Sequence, residues 1–324
     1  MSTSSPDGLL SVSGLDVTVP GGATAVRDVS FTIAPGETVG IVGESGSGKT
    51  LVCRSVLGVL PPGVTVAAGS IVLDGTSLTT LNERGWRSVR GRSLSVVFQD
   101  PASYLNPSIT VGRQLAEQLR RTRAIDRRTS RAAAIDLLTS VGLRRAEVAY
   151  GQFPHQLSGG MLQRILIAIA IAGEPKLLVA DEATTALDVA VQAEVLDLLA
   201  ALRRRHRLAL LLVSHDLAVV VEVCDRVIVL YAGEVVEDGP TAEVLARPRH
   251  PYTEALLRVA SLGDWQRRRL EVIPGSPPAP GTAPDGCRFA PRCPYAVDAC
   301  RAGVIPLTDG VRCVRAADLE LVGA

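Results

Sequence analysis

Lysine is nearly missing from this 324-residue chain: Lys49 and Lys176 are the only two, and the other 32 of its 34 basic residues are arginine. Aromatic residues make up 3% of the sequence, which removes the stacking platforms that single-stranded nucleic-acid binders rely on. A charge excess is missing as well. Formal net charge is +1, against the basic surplus of a general nucleic-acid surface. The arginine runs RRRHR (203–207) and RRR (267–269) are therefore read as solvated helix faces. No apolar run approaches the ~20 residues that cross a bilayer; the longest, ILIAIAIA, spans 165–172. The opening MSTSSPDG has neither the basic start nor the apolar stretch of a secretory leader. The chain is expected to be soluble, with reduced cysteines in a cytosolic setting. Its length allows one large domain or two with a substantial core, and no internal repeat is present.

Along the chain, residues 1–8 read as a disordered tail. LLSVSGLDVTV and VRDVSFTI alternate and are rich in β-branched residues, as strands of an antiparallel flank. ETVGIVG, KLLVADEA and LALLLVSHD are apolar runs typical of buried parallel strands. SIVLDG is a short strand with DG as its turn, and DRVIVLYAGEVVEDG reads as a hairpin. From about 102 to 172 the apolar spacing turns helical. The Pro/Gly-rich stretch PGSPPAPGTAPDG (274–286) holds no regular structure and leads to a small appendage. Strands alternating with helices give an α/β fold, whose ligands bind at the carboxyl ends of the strands.

GESGSGKT (43–50) lies at such an end and fits the phosphate-loop pattern G-x-x-x-x-G-K-[S/T]. Gly43, Gly46 and Gly48 let the backbone curl so that amides face phosphate oxygens. The expected contacts run from Gly43 through Glu44, Ser45, Gly46, Ser47, Gly48, Lys49 and Thr50 to Leu51. Lys49 supplies a compact ammonium for the β- and γ-phosphates where a planar guanidinium would not thread the loop. Thr50 offers its hydroxyl to Mg²⁺. Asp181, ending KLLVAD, is expected to hold Mg²⁺, and Glu182 to polarise the attacking water as general base. His215, in LLVSHD, ends another strand and is a candidate γ-phosphate contact.

LSGGMLQR (157–164) resembles the signature motif of ATP-binding cassette (ABC) ATPases, with methionine where glutamine is usual. Ser158, Gly159 and Gly160 open a helix and form a second anion cradle. The resemblance implies two ATPase domains packed head to tail, each signature closing on ATP held by the partner's phosphate loop. It also implies that Gln99, in VVFQDP, touches Mg²⁺ or the lytic water, that Asp188, in TALD, is the D-loop aspartate, and that His215 is the switch histidine. FQDPASYLNPSITVGRQLAE, SGGMLQR, RHPYTEALL and GSPPAP resemble the peptide and nickel importer subfamily. The implied architecture is a P-loop ABC ATPase domain (9–242) with an antiparallel β flank and an inserted helical subdomain (102–172), then a C-terminal Cys-rich extension (243–324). The implied role is ATP-driven energy coupling for di- or oligopeptide import at the cytoplasmic face of the cell membrane. Its partners would be a second ATPase subunit, two transmembrane permease subunits and an extracytoplasmic substrate-binding protein, with no nucleic acid. Nickel or another small solute stays open as cargo, and a soluble ABC ATPase acting on nucleic acid or ribosomes is the rival class. The absence of N-K-x-D disfavours a GTPase. TVPGGATAV lacks the aromatic with which the family stacks adenine.

Four of the six cysteines, Cys287, Cys293, Cys300 and Cys313, are spaced C-x5-C-x6-C-x12-C. Four thiolates suit tetrahedral zinc or an iron–sulfur cluster. The close pairs of structural zinc sites are absent, wider spacing suits a cubane, and the subfamily's extension resembles [4Fe–4S] carriers. Zinc and unligated thiols stay open. Such a metal would stabilise a piece too short to build its own core. Cys53 and Cys224 read as small core residues.

Overall fold

The computed structural model describes residues 8–98, 101–182, 189–214, 216–260 and 272–323. The chain divides into two units, residues 1–80 with 212–324, and residues 81–211. The first unit opens with β1 (Leu10–Thr18), β2 (Thr24–Ile33), β3 (Thr38–Val42), α1 (Lys49–Leu57), β4 (Thr65–Leu73) and β5 (Thr76–Ser77). Four of these form an antiparallel sheet in the order β2-β1-β4-β5. Leu10, Val12, Leu15 and Val17 of β1 are buried, the alternation changing phase at the irregularity between Val12 and Leu15. Asp74 and Gly75, at φ 48° and 76°, make the tight turn between β4 and β5. β4 begins at Thr65, five residues before the apolar run that announces it. Its early residues are mostly exposed and are held by pairing with β1 instead.

The second unit carries α2 (Glu83–Val89), β6 (Leu94–Phe98), α3 (Pro101–Tyr104), α4 (Val111–Arg123), α5 (Arg127–Ser140), α6 (Ala146–Tyr150), α7 (Gly159–Ile171), β7 (Leu177–Asp181) and α8 (Val189–His206). β6 and β7 pair in parallel. α4 buries Val111, Leu115, Ala116 and Leu119 along one stripe and ends in Arg120, Arg121 and Arg123, cations suited to a helix C-terminus. Asp126 caps α5 by accepting from Thr129 N–H at 2.7 Å. Arg204 and Arg205, near the end of α8, are exposed, as a solvated face requires.

After β8 (Ala209–Val213) the chain continues through α9 (Leu217–Val223), β9 (Arg226–Tyr231), β10 (Glu234–Pro240), α10 (Thr241–Ala246) and α11 (Pro251–Ala260). Within the first unit β9 pairs in parallel with β3 and antiparallel with β10. All five residues of β3 are buried, and Cys53 and Cys224 are buried too.

Residues 272–323 contain one short 3-10 turn, Asp298–Arg301, and otherwise irregular chain among the described residues. They are no appendage. Arg312 N–H donates to Val236 O at 2.9 Å and Asp238 N–H to Gly310 O at 2.7 Å, extending the β10 edge. The buried Arg288 pairs with Glu234, and the buried Arg312 donates to Val235 O and Ile305 O. Phe289 is fully buried between Tyr231 and Tyr252. The extension has a core after all: it shares that of the first unit.

Candidate functional site

Three glycines build the loop between β3 and α1. Gly43, Gly46 and Gly48 have φ of 151°, 81° and 103°, which side chains disfavour. At Gly43 space is limiting as well, because a Cβ there would lie 2.1 Å from Leu230 O and 2.8 Å from Ser47 Oγ. Ser47 N–H donates to Glu44 O at 3.1 Å, and Gly233 N–H, in the β9–β10 turn, donates to Ser47 O at 2.8 Å. Lys49 is buried, its Nζ donating to the carbonyls of Gly43 at 2.8 Å and Glu44 at 3.0 Å. The loop thus curls round a single ammonium. Ser45 and Gly46 are exposed at the tip, with Thr50 and Leu51 half-buried in the first helical turn. Ser47 Oγ is buried without a hydrogen-bond partner among the described residues. Gly48 is the N-cap of α1 and offers no side-chain cap, so the partial positive charge of the helix start lies at the loop. An uncapped helix start, an ammonium and an orphaned hydroxyl on one loop fit a phosphate chain.

The second unit holds the other motifs. Asp181 ends the wholly buried β7, opposite Phe98 of β6. Glu182 follows in the left-handed region at φ 50°, an uncommon conformation for a non-glycine residue that turns the chain directly after the strand. Ser158 caps α7, its Oγ accepting from Met161 N–H at 3.4 Å. Ser158 and Gly159 are exposed. A Cβ on Gly159 would meet nothing, whereas one on Gly160 would press Val191 at 2.9 Å. The signature therefore presents an open helix start, with Ser158 and Gly159 at its surface. Gln99, Asp188 and His215 lie outside the described residues.

Cys287, Cys293, Cys300 and Cys313 line one cavity of about 10 Å³ together with Phe289 and Tyr295 and with the sequence-distant His250. All four are free thiols. Burial, aided by neighbouring thiols, pushes Cys287 up to about 12 and raises Cys293 and Cys313 above the usual thiol value. His250 is buried and pulled down to about 3 by desolvation. Its Nδ1 accepts from Tyr252 N–H at 3.0 Å, so the neutral ring carries its proton on Nε2. Among the described residues, no three or more His, Cys, Asp or Glu side chains are arranged to hold a single metal ion.

The pattern of the ABC transporter family matches residues 26–185, and that of the oligopeptide/dipeptide transporter C-terminal region matches 236–300. A putative peptide import ATP-binding protein of Brucella melitensis is 47% identical over 308 residues, covering 90% of this chain and 91% of the relative. The chain belongs to the ABC transporter ATP-binding family. Within it, the oligopeptide transport ATP-binding protein AppD of Bacillus subtilis is 46% identical over 277 residues, covering 85% and 84% of the two chains. The fold is similar to that of the ATP-binding cassette MJ0796, solved as a post-hydrolysis dimer with ADP and Pi. The TM-score is 0.63 at 27% identity, over 72% of this chain and 98% of that one.

In this ABC ATPase three of the motifs read from sequence lie on described elements: the phosphate loop between a buried strand and a helix, Asp181 and Glu182 at a strand end, and the signature at a helix start. Sequence reasoning did not single out Arg292, Tyr252 or His250. RHPYTEALL contains two of them, but their roles depend on partners far away in the chain.

Proposed function

We propose that this chain is the energy-coupling ATPase subunit of a peptide importer. The observation that carries the reading is a phosphate loop, complete from Gly43 to Thr50, in a chain whose C-terminal region matches that of oligopeptide/dipeptide transporters. ATP is the substrate. The α1 N–H groups, Ser47 and Lys49 neutralise its phosphates; Thr50, Gln99 and Asp181 would hold Mg²⁺, which would supply Lewis-acid charge when bound. Glu182 takes a proton from water as that water attacks the γ-phosphorus. The bond to the β–γ bridging oxygen breaks, leaving ADP and inorganic phosphate. His215 contacts the γ-phosphate. Ser158, Gly159 and Gly160 close on the nucleotide of a second ATPase subunit, beside the D-loop Asp188.

No described helix is long and apolar enough to cross a membrane. In this reading two permease subunits hold the chain at the cytoplasmic face of the cell membrane, and an extracytoplasmic binding protein delivers cargo. For Cys287, Cys293, Cys300 and Cys313 a [4Fe–4S] cluster stays a proposal from their spacing; the four free thiols line one cavity, but no three of them are arranged to hold a single metal ion. The cluster's expected signatures are a broad visible absorbance bleached by dithionite and matched iron and sulfide. A colourless protein holding stoichiometric zinc refutes the assignment.

The ATPase reading is tested with Glu182→Gln. Loss of a general base lowers turnover by about 10²–10⁴-fold, while ATP binding persists and a closed pair of ATPase subunits accumulates on size exclusion. Unchanged hydrolysis removes Glu182 from the mechanism. Reconstitution with the permeases in vesicles tests the cargo, with ATP-dependent accumulation of a labelled oligopeptide as the expected result.

A further inference from the structure

The phosphate loop is gripped from outside the family's nucleotide motifs. Glu44, its second residue, has both carboxylate oxygens engaged by Arg292, with Nη1 at 2.7 Å and Nη2 at 3.0 Å. Glu44 N–H donates to the Tyr252 hydroxyl at 2.7 Å. Arg292 is almost fully buried, and each of its five N–H donors has an acceptor: Glu44 twice, Tyr231 Oη at 3.3 Å, Ile273 O at 3.1 Å and Pro274 O at 2.8 Å. Its plane lies over the rings of Tyr231 and Phe289. A guanidinium so completely bonded has one available orientation. Glu44 therefore inherits a fixed position, and so does the carbonyl that Lys49 Nζ touches. Arg292 directly precedes Cys293, and Phe289 and Tyr252 pack against each other beside the cysteine cavity.

We propose that Arg292 and Tyr252 are positioning residues of the phosphate loop, through which the segment carrying Cys287 and Cys293 sets nucleotide affinity. The proposal rests on the reading of residues 43–50 as the nucleotide site. Holding the Glu44 peptide keeps the curled loop in its phosphate-accepting form before nucleotide arrives, so the cost of ordering it is not subtracted from binding. Neither residue touches the reacting atoms. Their loss acts on affinity and leaves the chemical step alone.

The test is a double-mutant cycle on the purified full-length chain, measuring the Kd of Mg·ATP by titration calorimetry for wild type, Glu44→Gln, Arg292→Gln and the double variant. Each single variant is expected to weaken binding about tenfold. The double variant is expected to be no weaker than either single one, because both break the same contact. Arg292→Lys keeps the charge but not the fork and falls between wild type and Arg292→Gln. If Arg292→Gln does not fold, Tyr252→Phe removes one hydroxyl from an otherwise unchanged ring. It is expected to raise KM for ATP several-fold with kcat within twofold of wild type and the melting temperature kept. Wild-type affinity in a folded Arg292→Gln or Tyr252→Phe, or losses that multiply to about a hundredfold in the double variant, overturns the proposal. A wild-type chain that binds no nucleotide overturns the reading of the loop itself.

Discussion

Replacing Phe289 with alanine removes a ring that is 1% exposed and wedged among three others. It meets Tyr231 edge-on at 5.2 Å between centroids, Tyr252 at 5.3 Å and His250 at 6.0 Å, with the Arg292 guanidinium over its face. Truncating a buried phenylalanine costs about 3–5 kcal/mol, part transfer and part cavity, and one edge-on and two tilted ring contacts place this site in the upper half of that range. A loss of about 4 kcal/mol lowers the melting temperature by roughly 8–16 °C for a unit of this size. Circular dichroism melts of the protein as purified, against Phe289→Leu as the milder control, provide the measurement. Phe289→Leu keeps most of the apolar volume and is expected to lose about a quarter to a half as much. If Phe289→Ala melts within 2 °C of wild type, residues 272–323 do not share the first unit's core, and the docking described above is wrong.

Three other outcomes are expected. Lys49→Arg keeps the charge but is expected to weaken Mg·ATP binding by about tenfold or more, because the loop closes on a compact ammonium; wild-type Kd in Lys49→Arg contradicts this. Gly43→Ala, with its Cβ forced against Leu230 O, displaces the loop and is expected to reduce nucleotide affinity about a hundredfold while far-ultraviolet circular dichroism is unchanged. His250 takes up a proton near 6.5 when unfolded and near 3 when folded. The unfolded chain then binds more protons between those values, so stability falls as pH drops through that window, by about 3 kcal/mol at pH 4. Urea titrations from pH 7 to 4 measure the slope, and His250→Gln, which keeps an acceptor for Tyr252 N–H, is expected to flatten it.

The nucleotide motifs were legible because their physics is local. Glycines at 43, 46 and 48 are needed for backbone torsion, Lys49 for its compact charge, and Ser158 for a cap three residues on, so a few adjacent letters carry the geometry. The hairpin of β9 and β10 and the DG turn after β4 were readable for the same reason. The docking of the extension was not. Arg288, Arg292 and Arg312 look like any other arginine of an arginine-rich chain, and the rule that charged residues face water favours leaving them outside. Their acceptors lie far off in sequence; Glu44 and Arg292 are 248 residues apart. Only the folded chain shows that the carboxylate of a phosphate-loop residue and the guanidinium beside Cys293 are one pair. The start of β4 was missed by a related failure, since its exposed residues are ordered by a neighbouring strand and carry no apolar run of their own.

The near-absence of lysine has a practical side. Lys176 is exposed while Lys49 is sealed within its loop. An amine-acylating reagent should therefore mark Lys176 in the folded chain well before Lys49. A protease that cuts only after lysine should release two large fragments before any cleavage at residue 49. The lag before that later cut would time how often the loop opens, with no reporter group installed.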